Sequence, residues 1–265
     1  MANNLLDKSP TSELTKISKK GLEEACKIAL KFKDKLNVTY KSESQPVTNA
    51  DKEIDKYLKL YYETHTPWIG WLSEESIDDK SRFQKDLFWC LDPIDGTRSY
   101  INQKPEYTIS LALIKKNKPI LGYVVNPETK EFFFSEKGKG AFCNDKKIIV
   151  KQKNDFNNCN ITISSSEIKK LNNYEIFKKN QIIKLGSIAY KIALVAKGQM
   201  DIAISFTKKN DWDLAAAHLL VEEAGGKIVQ LDGKQITYNT YSCKINSVMA
   251  ANHSTINSLE KIFNK

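Results

Sequence analysis

Asp92-Pro-Ile-Asp-Gly-Thr97 decides how this chain is read. Two carboxylates stand three residues apart on either side of a proline, and a glycine and a hydroxyl follow directly. The preceding Leu87-Phe-Trp-Cys-Leu91 is continuously apolar and reads as a buried strand. The acids therefore fall at a strand end, where layered α/β proteins place their sites. Pro93 fixes its own φ and donates no backbone hydrogen bond, which predicts that both acids share one turn. Gly96 lets the backbone approach a ligand, and free N–H groups from Gly96 onward suit an anion. Carboxylates beside such amides make chemical sense if a hard cation such as Mg²⁺ links them to a phosphate. Taken alone, the segment reads equally well as a polar turn.

One phosphatase signature is excluded. The haloacid dehalogenase phosphatases use Asp-x-Asp-Gly-Thr, and in that register the nucleophile's position here is Pro93.

The chain has 265 residues, 41% of them hydrophobic and 28% charged, an ordinary balance for a soluble globular protein with a sizeable core. Its net charge of +9 raises nucleic acid as a partner. Of the 41 basic residues, however, only Arg82 and Arg98 are arginine, and the lysines are scattered rather than blocked together. That pattern is a solvated surface that draws in small acidic substrates, with no nucleic acid expected. The five cysteines form no C-x-x-C pair, which points to reduced thiols in the cytoplasm. His65, His218 and His253 lack metal-ligand spacing and read as structural or surface residues. The stretch Met1–Asp7 carries no signal pattern, and no apolar run reaches membrane-spanning length.

Periodicity predicts a helix from Thr11 to Lys35 and another from Lys52 to Glu63, with Asp51 at its start as an N-cap, a site residue or both. Trp68–Leu72 reads as a short strand leading to Glu74 and Glu75, a pair that also suits a plain polar loop. Tyr107–Ile114, Pro119–Val125, Glu131–Ser135 and Gly140–Cys143 read as an antiparallel sheet. The polar stretch Lys151–Asn158 is the candidate boundary between an N-terminal half (1–150), with the sheet and metal site, and a C-terminal half (151–265) that completes a single catalytic unit. That second half alternates strand and helix: strands at Ile161–Ser164, Ile182–Leu185, Asp201–Ser205 and Ser247–Ala251. Helices run from Ile188 to Ala196, from Asp211 to Ala224 and from Ser254 onward. Asp213, in the first turn of its helix, suits the positive end of the helix dipole without any further role.

Three places now carry acids at strand ends or helix starts, and their order is informative. Trp71-Leu-Ser-Glu-Glu75, Asp92-Pro-Ile-Asp-Gly-Thr97, Asp211-Trp-Asp-Leu-Ala-Ala-Ala217 and Glu222-Glu-Ala-Gly-Gly226 together resemble the inositol monophosphatase family of Mg²⁺-dependent phosphomonoesterases. Val47-Thr-Asn-Ala-Asp51 and Leu185-Gly-Ser-Ile-Ala-Tyr190 fit the same pattern, so the resemblance runs from about residue 11 to the end. It implies an α/β (α+β) layered α-β-α-β-α sandwich. It also implies Glu74, Asp92, Asp95, Asp213 and the Ile94 carbonyl as ligands of two or three Mg²⁺ ions. In the mechanism so implied, a metal-bound water on the Glu74 side attacks phosphorus, oriented by Thr97 and Asp51. Gly96, Thr97 and Ser187 contact the phosphate.

Substrate is a finer question. Inositol monophosphatases resemble one another in a glutamate seven residues before the Trp-Asp aspartate, and here that position is Phe206. A phenyl ring followed by Lys208 and Lys209 suits a nucleobase and a further phosphate. Gly96–Ile101 and Pro105–Ile114 also look like the bacterial 3'(2'),5'-bisphosphate nucleotidases. The expected reaction is therefore hydrolysis of adenosine 3',5'-bisphosphate to AMP. Inositol 1-phosphate and histidinol phosphate are the alternatives, and a non-catalytic nucleic-acid-binding relative is the alternative of another class. The expected assembly is a monomer or homodimer.

Overall fold

The computed structural model describes residues 10–42, 45–153 and 157–263. Met1–Asp7 and the middle of the stretch Lys151–Asn158 lie outside the described residues.

The first helical pattern forms α1 (Pro10–Phe32), which buries Leu14, Leu22, Ala25 and Ala29 and stops short of Lys35. The strands β1 (Val38–Ser42) and β2 (Gln45–Thr48) then pair antiparallel and deliver the chain to α2 (Asn49–His65). This helix begins before Lys52 because Thr48 is its N-cap: the Thr48 hydroxyl accepts from Ala50 N and Asp51 N. Asp51 is thus not the cap. It occupies the third helical position and returns a bond to Thr48 N, closing a capping box.

Next come β3 (Gly70–Ser73), β4 (Leu87–Asp95), the short α3 (Thr97–Ile101), β5 (Thr108–Lys115), β6 (Lys118–Asn126), β7 (Glu131–Glu136), β8 (Gly140–Cys143) and β9 (Lys146–Ile148). β3 to β9 form one sheet in chain order. It is antiparallel as expected except at its edge, where β3 runs parallel to β4. The helix α3 has no apolar stripe long enough to announce itself in sequence.

The remaining elements are β10 (Asn160–Ile163), α4 (Ile168–Leu171), β11 (Gln181–Lys184), α5 (Ile188–Ala196), β12 (Ile202–Ser205), β13 (Lys209–Asn210), α6 (Asp211–Glu223), β14 (Gly226–Gln230), β15 (Lys244–Ile245), β16 (Val248–Asn252) and α7 (His253–Phe263). A second sheet has the order β11-β10-β12-β16-β14, parallel among β10, β11 and β12 and antiparallel beyond. The short β13 and β15 pair separately.

Period-two alternation sorts the layers. From β4, Trp89 and Leu91 join the core under α1 and α2, whereas Phe88 and Cys90 face the core of α5 and α6. Both faces of this sheet are buried, which is why Leu87–Leu91 is apolar without a break. On the second sheet, Ile161, Ile204 and Met249 pack with Ile256 and Leu259 of α7. The result is α1/α2, sheet, α5/α6, sheet, α7: the layered α-β-α-β-α sandwich. The middle layer is thin. Ala215, Ala216 and Ala217 bring α6 so close to β6 that a Cβ on Gly122 would stand 2.6 Å from Ala216 O.

The decisive local feature is an extra residue in β4. Asp92 pairs with Ser110 and Asp95 with Thr108, so three steps on β4 oppose two on β5. Such a bulge tolerates Pro93, which has no N–H for the ladder. In a regular strand, residues three apart face opposite sides. Here Ser110 and Thr108 share a face, so their partners Asp92 and Asp95 share it too, and both acids point toward α5 and α6. The two acids expected in a turn instead lie on one side of a bulged strand.

Candidate active site

The face chosen by the bulge gathers carboxylates from three elements. Glu74 follows β3, Asp92 lies in β4 and Asp213 in the first turn of α6, and each offers an oxygen within 4.8 Å of the others. Ser110 Oγ donates to Trp212 O (3.1 Å), which seats the start of α6 against β5 beside the bulge. Asp213 closes a capping box of its own, its Oδ2 accepting from Asn210 N (2.6 Å). Asp95 is held apart from that trio by the other middle helix: its Oδ2 accepts from Ser187 Oγ (2.6 Å) and Ala189 N (2.6 Å).

Charge crowding is evident in the titration of these groups. Burial, then Glu74, Asp95 and Asp213, push Asp92 well above the usual carboxylate range. Burial and then Glu74 and Asp95 raise Asp213 to about 7. Asp95 also rises through burial, opposed by its bonds from Ser187 and Ala189. Buried, mutually repelling oxygen donors of this kind fit a hard divalent cation, whose charge removes the repulsion. The all-oxygen donor set does not suit a softer metal that prefers sulfur or imidazole.

Thr97 stands at the edge of the group. Its Oγ1 is 3.0 Å from Ile94 O and 3.4 Å from Asp51 Oδ1, and its single proton serves one of them at a time. Thr48 holds the other oxygen of Asp51 through its amide (2.8 Å) and hydroxyl (2.5 Å). Burial raises Asp51 to about 6, with the Thr48 bonds acting the other way. Gly96, at φ 93°, makes the turn from β4 into α3, and a Cβ there would lie 2.9 Å from Glu106 O.

These residues line a cavity of about 550 Å³ that contains Glu74, Asp92, Ile94, Asp95, Gly96, Thr97, Ser187 and Asp213. Its remaining walls carry Arg98, Lys104, Lys184, Lys208 and Lys209, together with Ser164, Ser165 and Ser166. Of these, only Lys208 and Lys209 were flagged by sequence reasoning. The others sit at ends of strands or in loops whose convergence has no local signal. Lys41 was missed as well: it reaches from β1 to Glu74 Oε1 (3.3 Å) and Glu75 Oε1 (2.6 Å). Glu75 is spent on that lysine, which leaves Glu74 as the member of the pair in the acid group.

Phe206 is placed differently from expectation. Its ring stacks on Tyr174 (5.9 Å, 11° between planes) and meets the edge of Phe263 (6.0 Å), outside the cavity lining. These two aromatic neighbours in the outer core hold it there, so a base-stacking role is not one that this geometry offers. Asp51 likewise does not line the cavity and touches it through Thr97.

The model of the inositol monophosphatase family matches residues 11–262. A fructose-1,6-bisphosphatase/inositol-1-monophosphatase of Thermotoga maritima is 31% identical over 71% of this chain and 73% of its own. The 3'(2'),5'-bisphosphate nucleotidase CysQ of Salmonella typhimurium is also 31% identical, over 82% of this chain and 93% of its own. Among solved structures, an IMPase/NADP phosphatase complexed with NADP and Ca²⁺ superposes with a TM-score of 0.86 at 25% identity, covering 97% of each chain. Relatives with different printed activities thus stand at equal identity, and the chain belongs to the inositol monophosphatase family, a family of phosphatases.

Proposed function

We propose that this phosphatase is a Mg²⁺-dependent 3'(2'),5'-bisphosphate nucleotidase, converting adenosine 3',5'-bisphosphate to AMP and phosphate. One observation carries the reading: a single cavity joins an acidic wall to five cationic side chains, Arg98, Lys104, Lys184, Lys208 and Lys209. An inositol monophosphate brings one anionic group, which the acid side consumes through its metal. A bisphosphate brings a second, and the lysine and arginine walls are suited to it.

Glu74, Asp92, Asp95, Asp213 and the Ile94 carbonyl are the groups that would hold two or three Mg²⁺ ions, which when bound neutralise phosphate charge and make a bound water more acidic. The chain's own residues do the rest. Thr97, by donating its proton to Asp51, leaves its hydroxyl oxygen free to accept from the attacking water and so orients it toward phosphorus. Ser187 and the Gly96–Thr97 backbone position the transferred phosphate. The five free cysteines suit a reducing compartment such as the cytoplasm.

Inositol 1-phosphate is the second reading, and the position of Phe206 favours it, because among the described residues no aromatic ring lines the cavity to stack on a base. The test is kcat/KM for adenosine 3',5'-bisphosphate, inositol 1-phosphate and histidinol phosphate at equal ionic strength. A higher value for inositol 1-phosphate replaces the nucleotidase reading. Absence of turnover on all three, with salt-sensitive binding of RNA or DNA, replaces it with the non-catalytic alternative.

A further inference from the structure

Only two of the 41 basic residues are arginine, and one of them, Arg82, is fully buried. It stands in a 3₁₀ turn (Ser81–Gln84) between β3 and β4, so close to β3 that a Cβ on Gly70 would lie 3.2 Å from Arg82 Cα. A buried guanidinium is costly unless its donors are used. Along one edge, Nε and Nη2 donate to Asp78 Oδ2 at 3.2 and 3.0 Å. Along the other, Nη1 donates to Asn239 Oδ1, 157 residues on, and Nη2 to Thr240 O (3.1 Å) and Cys243 Sγ (3.2 Å). The Phe83 ring lies over the guanidinium (4.1 Å to its centroid) and stacks on Tyr241 (6.3 Å, 2° between planes), which repeats the tie.

Both of the segments joined in this way lead to the acid group. Asp78 belongs to the loop that starts at Glu74, whose amide extends the β3–β4 ladder by donating to Leu91 O (3.2 Å). Ser76 Oγ holds the same loop to α2 through Asp55 Oδ2 (2.6 Å). On the other side, Asn239 N donates to Asp211 Oδ2 (2.8 Å) and Asp211 N to Cys243 O (3.0 Å). These bonds fasten the segment 239–243 to the first residue of α6, and Asp213 follows on that helix. Glu74 comes from the edge of the large sheet and Asp213 from the middle layer, so their separation depends on how the two supports are joined.

We infer that Arg82 is a positioning residue of the acid group: its fork joins the Glu74 loop to the support of α6, sets the separation of Glu74 and Asp213, and so tunes affinity for a divalent cation. The inference rests on the reading of that group as a cation site. A lysine does not replace it, because one ammonium on a flexible stem does not serve both edges at once.

Calorimetric titration with Mn²⁺, a cation that oxygen ligands hold, reads this affinity without turnover. Arg82→Met should raise the Kd about 10-fold, in the range seen when outer partners of metal ligands are removed, and Arg82→Lys should share most of that loss. Asn239→Ala, which keeps the backbone bond to Asp211, should raise it about threefold. An unchanged Kd in Arg82→Lys overturns the inference, since charge alone would then suffice. So does an unchanged Kd in Asn239→Ala, and a lowered metal-free Tm beside it would show a tie that only holds the fold. Should Arg82→Met fail to fold, the other two variants decide. If the unmutated protein binds no Mn²⁺, the cation reading falls and this inference with it, whereas equal binding by all four proteins ends the inference alone.

Discussion

The two sides of the cavity are built on different principles. On the acid side, four carboxylates are braced by backbone or by a short side-chain bond: Asp92 by Ile94, Asp95 by Ser187 and Ala189, Asp213 by Asn210, Asp51 by Thr48. On the basic side, Lys104, Lys184 and Lys208 are exposed ends of flexible stems. Chemistry at phosphorus needs fixed distances, and bracing removes the reorganisation that would otherwise accompany the reaction. Attraction of a second anion needs only charge in the right region, and long side chains supply that without a rigid frame. The difference teaches where to expect steep and shallow mutational responses.

Asp92→Asn should show the steepest. It should lower kcat by roughly 10³-fold or more, since it weakens the whole oxygen set at once. Chelation with EDTA should do the same to the unmutated enzyme, and near-full turnover after chelation would break the metal reading. In EDTA the variant should also melt at a higher temperature than the unmutated protein, because a repelling buried charge is gone. Calorimetry showing a lower Tm would mean that Asp92 is a net structural support.

Thr97→Ala should come next, with kcat down about 10²-fold and the fold intact. Circular dichroism separates this from unfolding: a variant inactive because it is unfolded would assign Thr97 to the turn alone.

Asp51 gives the comparison a pH axis. Its carboxylate accepts from Thr97 more strongly when ionised, so activity should fall as pH drops through about 6. Thr48→Val removes the hydroxyl that stabilises the ionised form, and should move that acidic limb upward in pH while costing about 1 kcal/mol of helix capping. The stability sign is opposite to the activity sign. A carboxyl whose folded value is raised above its unfolded one favours the native state most at low pH, and that contribution is lost as pH rises from about 4 toward 6. An acidic limb that does not move in Thr48→Val would detach Asp51 from the reaction.

The basic side should respond weakly. Lys208→Ala should raise KM for a bisphosphate about threefold, and the effect should fade at high salt because exposed charges are screened. Glu75→Gln should be the mildest change in kcat, well below Glu74→Gln, since Glu75 is paired with Lys41 outside the acid group. Equal losses for the two glutamines would place both acids at the metal.

Much of the acid side was legible before any coordinates. Strand β4 announced itself as an apolar run, α6 by its Ala- and Leu-rich pattern after Asp211, and α5 by apolar spacing after Ser187. The acids followed because each is tied to a local signal: a strand end, a helix start, a turn glycine. Less legible were the identity of the α2 cap, where Thr48 and Asp51 both had suitable chemistry, and the parallel edge pairing of β3, which depends on where a loop returns. Phe206 shows the limit. Its spacing from Asp213 was readable, but its neighbours Tyr174 and Phe263 come from distant segments, and their contact decides which way the ring lies.

By itself the sequence determined the family, through short motifs whose chemistry is local, and that resemblance implied the layered fold and a candidate set of oxygen donors. Tertiary structure decided the rest. The extra residue at Pro93 turns Asp92 and Asp95 to one face only in register with Ser110 and Thr108 of another strand. Lys191 meets Ser164 only because α5 packs against the end of β10. Register and burial are properties of pairs of segments far apart in the chain, and no window of residues contains them.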